Sequence, residues 1–322
     1  MKTNKSNPEV RQIIQDIRAA YVPTMAYDRL DEYFDQLLEQ RRADLSEGIV
    51  SDLRGIVLVG RSGAGKTTAV LELRRRYHNR LVCDDPDGLN EMIGFKVPSP
   101  ATMKFVATAA LHAAGYPLVR DRSAAVIWGL VKQQFKLRKT LFMHMDEAQD
   151  LAQHQTDKER QAIVNTLKSL MENSQWPVGL LLTGMPGLKS IINQDAQLAR
   201  RMYPIEIERL SPYTGQDQVL GLVARYCDRA RVQRDDDVRV AEFASRLMHA
   251  ADYEFGLLAQ HIVEALTRAL RADGLEACLS RKHFAEVYYM RTAVGPGLNP
   301  FLAEDFRRID PRQCFDEGDE DA

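Results

Sequence analysis

"GIVLVGRSGAGKTTAVLELRRR", residues 55–76, decides the fold. An apolar, β-branched run from Ile56 to Val59 meets Gly60-Arg61-Ser62-Gly63-Ala64-Gly65-Lys66-Thr67-Thr68, and a stretch without Gly or Pro follows in helical pattern. Strand, G-x-x-x-x-G-K-[ST] loop and helix together are the context that a phosphate-binding P-loop requires. The glycines let successive backbone N–H groups turn inward around a triphosphate, and the N-terminus of the next helix adds partial positive charge. On this reading Gly60, Arg61, Ser62, Gly63, Ala64, Gly65 and Thr68 form the cradle. Lys66 reaches the β- and γ-phosphates, and the Thr67 hydroxyl binds Mg²⁺.

Further along lies the other half of such a site. In the apolar run 140–146, Asp146 stands at the carboxyl end, where open parallel sheets place their ligands. An acid there would hold Mg²⁺ through water and complete what Thr67 begins. Glu147 sits where a carboxylate can orient and polarise an attacking water. Two acids after a strand can also be a mere helix N-cap region; with a P-loop upstream, the pair points to hydrolysis as well as nucleotide binding. Thr183 ends the next apolar strand, its hydroxyl between the two motifs, though a β-branched residue also simply suits a strand end. "AQLARRMYPIEIERL" sets Arg200 and Arg201 at the end of a helix. They are either partners of the helix dipole or an arginine supplied to a neighbouring subunit's phosphoryl transfer.

The pattern around these motifs is α/β. Residues 1–50 read as a polar helical segment broken at Val22-Pro23-Thr24. From 51 to 210, continuous apolar strands alternate with helices, which argues for a parallel sheet covered on both faces. Beyond Ser211-Pro212 only helices are expected, near 214–231, 236–250, 254–271 and 280–290, making a helical lid over 211–291. Residues 292–322 read as a linker and an acidic tail that lacks the apolar residues to pack. A chain of 322 residues, 45% hydrophobic and 27% charged, is long enough for two ordinary globular domains. The N-terminus lacks the apolar core of a signal peptide and no run approaches the ~20 apolar residues of a membrane span, so a cytoplasmic location without membrane contact is expected. Cys83, Cys227, Cys278 and Cys314 stand apart, which suggests neither a disulfide framework nor a zinc site.

The net charge of −2 conceals a segregation. Over residues 94–139, Lys96, Lys104, Arg120, Arg122, Lys132, Lys136, Arg138 and Lys139 face one acid, Asp121. Such a segment is either a solvated face or an anion-binding surface.

The order of P-loop, "DEAQ" (146–149), polar strand end, arginine pair and helical end resembles the AAA+ superfamily. Within it, the chain is similar to the transposition ATPases of the TniB, TnsC and MuB kind over roughly residues 20–310. The most particular features are "VPSPATMKFVATAALHAAGYP" (97–117) and "NPF" (299–301). The resemblance implies an AAA+ P-loop core with a small helical lid, assembling with ATP into a homo-oligomeric ring or filament on duplex DNA. It further implies selection of a target site alongside a target-selection protein, and recruitment or activation of a transposase. It implies Lys66 and Thr67 as the Walker A pair, Asp146 and Glu147 as the Walker B pair, Thr183 as sensor 1 and Arg201 as the arginine finger. The finger box reads Leu198-Ala199-Arg200-Arg201-Met202, with Met where an aromatic is common, so Arg200 stays open. Gly256-Leu257-Leu258-Ala259 supplies no sensor 2 arginine, which implies slow or partner-stimulated hydrolysis.

The resemblance also sets residues 94–139 toward DNA, with Lys96, Lys104, Arg120, Arg122, Lys132, Lys136 and Lys139 as contacts. On a helical wheel Lys132, Lys136 and Lys139 share a face opposite Val126, Ile127, Leu130 and Leu137. Two other classes compete with this reading: a secretion-associated ATPase of the ExeA type, and a signalling or scaffold NTPase with no DNA role.

Overall fold

In the computed structural model, which describes residues 7–83, 88–152 and 156–313, two helices come first. α1 (Pro8–Arg18) opens at Asn7, whose side chain accepts from the Glu9 N–H at 3.0 Å, and Pro8 stands in the first turn. α2 (Met25–Ser46) opens at Thr24, which accepts from the Tyr27 N–H at 3.2 Å. Each buries one stripe: Val10, Ile13, Ile14 and Ile17 on α1, and Leu30, Phe34, Leu37 and Leu38 on α2. These stripes belong to different cores, which corrects the expectation of a single segment over 1–50. By packing, α2 falls in a unit of residues 23–62 and 66–207, and α1 in a second unit with residues 63–65 and 208 onward.

The first unit is built on five parallel strands. They are β1 (Gly55–Val59), β2 (Met92–Lys96), β3 (Phe142–Asp146), β4 (Gly179–Gly184) and β5 (Met202–Glu206), in the order β2-β3-β4-β1-β5. Between them run α3 (Lys66–Arg76), α4 (Met103–Ala113), α5 (Ala124–Leu137), α6 (Asp157–Met171) and the short α7 (Leu188–Asn193) and α8 (Ala196–Arg201). Every residue of β1 and β4 is buried, as a strand covered on both faces requires. Register aligns the chemistry. Val59 lies opposite Gly184, Leu58 opposite Thr183, Met145 opposite Leu182 and Lys96 opposite Asp146. The carboxyl ends of β1, β4 and β3 are therefore side by side.

The second unit packs α1 with α9 (Gln216–Ala230), α10 (Ala241–Ala250), α11 (Phe255–Asp273) and α12 (Arg281–Thr292). A pure helix expectation is amended by a parallel pair, β6 (Gln233–Arg234) with β7 (Cys278–Leu279), each too short to show a period in sequence. The expected linker after 292 is also corrected. Phe301 is fully buried beside Phe243, Phe284 and Tyr288. Asn299 donates to the Ala285 carbonyl at 2.8 Å and accepts from the Phe301 N–H at 3.0 Å. The buried Arg246 guanidinium donates to the carbonyls of Pro300 and Ala303, both at 2.7 Å. Gly and Pro give this stretch the composition of a linker, while Val294, Phe301, Phe306 and Ile309 anchor it. The acidic end from 314 lies outside the described residues, as does Cys314. Among the described residues, no helix is long and apolar enough to cross a membrane.

Candidate active site

The loop after β1 turns through Gly63 and Gly65 at φ +81° and +102°, the region that a side chain strains and glycine enters freely. Lys66 opens α3 and is buried; its Nζ donates to the carbonyls of Gly60 at 2.8 Å and Arg61 at 2.9 Å. Those bonds hold the ammonium within the curve of the loop. Thr67 and Thr68 stand exposed in the first turn of α3. A confined ammonium, a helix N-terminus and a glycine-turned backbone form a donor set suited to a polyphosphate anion.

Next to this loop, β3 and β4 tie their carboxyl ends together. Thr183 Oγ1 donates to Asp146 Oδ1 at 2.6 Å, and the Glu147 N–H donates to the same oxygen at 3.0 Å. Asp146 Oδ2 takes no hydrogen bond among the described residues, which leaves it available to a cation. Glu147 adopts φ +54°, a sparsely populated conformation for a residue with a side chain.

Two residues without a role in the sequence reading complete the arrangement. Gln149 Nε2 donates to Glu147 Oε2 at 2.7 Å, while its Oε1 accepts the Met185 N–H at 2.8 Å, so Glu147 is tethered to the end of β4. Gly184 makes room for it, since a Cβ there would lie 2.5 Å from Gln149 Oε1. His144, buried in β3, has Nε2 at 2.9 Å from Thr183 Oγ1. Burial, with the nearby Arg74 guanidinium adding to it, pushes the imidazole down to about 4, against a smaller opposing pull from Asp146. The ring is neutral at pH 7. The sequence signal for His144 was a polar residue inside an apolar run; for Gln149 it was the last letter of "DEAQ".

Arg200 and Arg201 have opposite surroundings. Arg201 pairs with Asp52 and with Glu172, each at 3.0 Å, and its side chain is 26% exposed. Arg200 is exposed and makes no ion pair among the described residues.

The basic segment does not form one surface. Lys96 ends β2 beside Asp146, at the carboxyl end of the sheet. Lys104, in the first turn of α4, pairs with Asp121 at 2.5 Å, which brings the exposed Arg120 and Arg122 to that same end. Lys136 instead reaches Gln175 at 3.1 Å, and Lys139 lies over the Trp176 ring at 4.9 Å, near the amino ends of β3 and β4. Arg138 is structural, donating to the carbonyls of Gly88 and Gly115. The expected lysine face of α5 is corrected as well. Lys139 lies past the helix at φ +58°, and the buried face is Ile127, Trp128, Val131 and Phe135, with Val126 and Leu137 exposed.

Residues 51–192 match the family described as AAA domain. Among solved structures, the chain is similar to Cdc6p of Pyrobaculum aerophilum, at 15% identity over 86% of this chain and 70% of that one, with a TM-score of 0.55. It is similar to the Aeropyrum pernix ORC1 protein, solved in complex with DNA, at 14% identity over 87% and 69% with a TM-score of 0.56. The A. pernix ORC2 protein, solved with ADPNP and ADP, is alike at 14% identity over 89% and 72%, TM-score 0.54. At these identities the likeness is one of fold. No curated protein matches the sequence. The fold is that of the AAA+ P-loop NTPases, and residues 51–192 are the part that matches the AAA domain.

Proposed function

We propose that this chain is a Mg²⁺-dependent ATPase that assembles on duplex DNA and regulates transposition, engaging a transposase and a target-selection protein. The observation that carries the catalytic part is the convergence of the Lys66 loop, Asp146 and Thr183 on three adjacent strand ends, with Thr183 bonded to Asp146 at 2.6 Å. Thr67 and Asp146 would hold Mg²⁺, which supplies charge neutralisation to the phosphates when bound. Lys66 binds the β- and γ-phosphates. Glu147, held by Gln149, orients the water that attacks the γ-phosphorus and polarises its O–H bond. Arg200, without an ion pair among the described residues where Arg201 has two, is the arginine offered to a neighbouring subunit's site.

Duplex DNA as partner is supported by the group Lys96, Lys104, Arg120 and Arg122 at the nucleotide end of the sheet, and by the DNA complex of the similarly folded ORC1 protein. The transposition role rests on the resemblance of residues 97–117 and 299–301.

ATP binding and turnover test the catalytic part. Hydrogen bonds to charged groups are worth ~1.5–3 kcal/mol, so Lys66→Ala should weaken ATP binding by about 10- to 100-fold. Glu147→Gln should bind ATP normally and turn it over at least about 100-fold more slowly. Equal ATP affinity in wild type and Lys66→Ala would sink the reading.

A further inference from the structure

β3 places an imidazole where the strand otherwise offers apolar side chains, and the position is specific. His144 and Asp146 are two residues apart and therefore share a face of the sheet. Across from them on β4 stands Thr183, whose single hydroxyl lies 2.9 Å from His144 Nε2 and 2.6 Å from Asp146 Oδ1. A hydroxyl has one proton, and an ionised carboxylate only accepts. The Thr183 proton is therefore on the Asp146 side. His144 must then donate from Nε2 to the Thr183 oxygen, which fixes the Nε2–H tautomer. Three groups form one directed chain, imidazole to hydroxyl to carboxylate.

The surroundings keep the ring in place. His144 is almost fully buried in a strand flanked on both sides, β2 and β4. Its Nδ1 packs over Gly94 of β2, where an added Cβ would approach it to 3.3 Å and would collide with Arg74 Nη2. With the Nε2–H in place, the Thr183 hydroxyl has one rotor position. Without it, the oxygen loses its donor and the hydroxyl is free to turn away from Asp146.

We propose that His144 is a positioning residue for ATP hydrolysis: it locks the Thr183 hydroxyl onto Asp146 Oδ1, so that the carboxylate holds one orientation and presents Oδ2. This rests on the ATPase reading above and adds to it a residue that touches neither nucleotide nor water. Residues that orient a metal-binding group in this way typically change affinity or activity by 10- to 100-fold when replaced.

Two measurements on the full chain test it. Imidazole ¹⁵N NMR of the nucleotide-free protein should show His144 as the Nε2–H tautomer; an Nδ1–H tautomer would overturn the proposal without reference to activity. Steady-state kinetics should then compare wild type with His144→Leu, His144→Gln, Thr183→Val and the double variant Thr183→Val/His144→Leu. His144→Leu should lower kcat about 10-fold with little change in ATP affinity. His144→Gln, which keeps an N–H near the same point, should recover most of that loss. On the Thr183→Val background, His144→Leu should change nothing further, because its partner is gone. A purely structural effect would persist on that background and would overturn the proposal. Wild-type turnover in His144→Leu, with Lys66→Ala inactive, would overturn it and leave the ATPase reading standing. Wild-type ATP affinity and turnover in Lys66→Ala would sink both.

Discussion

Arg200 and Arg201 are adjacent in sequence and differ in everything that decides their use. Arg201 is engaged within its own chain by Asp52 and Glu172, whereas Arg200 extends into solvent. An arginine supplied in trans is worth on the order of 10³-fold or more in turnover, so Arg200→Ala should lower ATP turnover of the assembled protein to that degree with thermal stability unchanged. Arg201→Ala should instead cost about 1 kcal/mol of stability, since partly exposed ion pairs contribute little. A turnover loss confined to Arg201→Ala would reverse the assignment. At this scale, the places of Lys66, Asp146, Glu147 and Thr183 at the loop and at the strand ends were legible because a contiguous motif or a strand end marks each one. His144 and Gln149 were not. Their partners lie 39 and 36 residues away across the β3–β4 register, and no local pattern encodes that register.

At the scale of elements, the helical stretches and the strand runs were readable from apolar spacing and apolar continuity. Which face α5 buries was not. Its apolar residues surround most of the helix, so the wheel offers several seams, and packing selects Ile127, Trp128, Val131 and Phe135. That choice redistributes the basic segment. Lys104 and Asp121 pair at the carboxyl end of the sheet, with Arg120 and Arg122 exposed beside them, and Lys136 and Lys139 lean on Gln175 and Trp176 at the other end. The double reversal Arg120→Glu/Arg122→Glu should therefore weaken duplex DNA binding and lower its salt slope by about 0.9 for each phosphate no longer neutralised, with ATP affinity intact. Lys136→Glu/Lys139→Glu should do much less. Fluorescence anisotropy across a salt series distinguishes them, and equal effects from both pairs would mean that the DNA surface is not confined to the nucleotide end.

Across the whole molecule, composition misread one region for a physical reason. Residues 292–309 carry the Gly and Pro of a linker, yet a few apolar side chains and the Arg246 guanidinium suffice to pack them. Burial also sets a pH limit on stability. His261 in α11 is pushed down to about 4, chiefly by burial and then by Arg291. An unfolded histidine takes its proton near 6.5, so this contribution is fully present above about pH 6.5 and is lost as pH falls from 6.5 to 4, by up to ~1.4 kcal/mol per pH unit. His261→Phe should retain more of its pH 7 melting temperature at pH 5 than wild type does; parallel losses would contradict this. The central claim is that ATP controls assembly on DNA, and sedimentation velocity tests it most directly. With duplex DNA and a nonhydrolysable ATP analogue together, the 36.5 kDa chain should sediment as a large assembly, and with either one alone it should not. A chain that remains monomeric with both present would contradict the account.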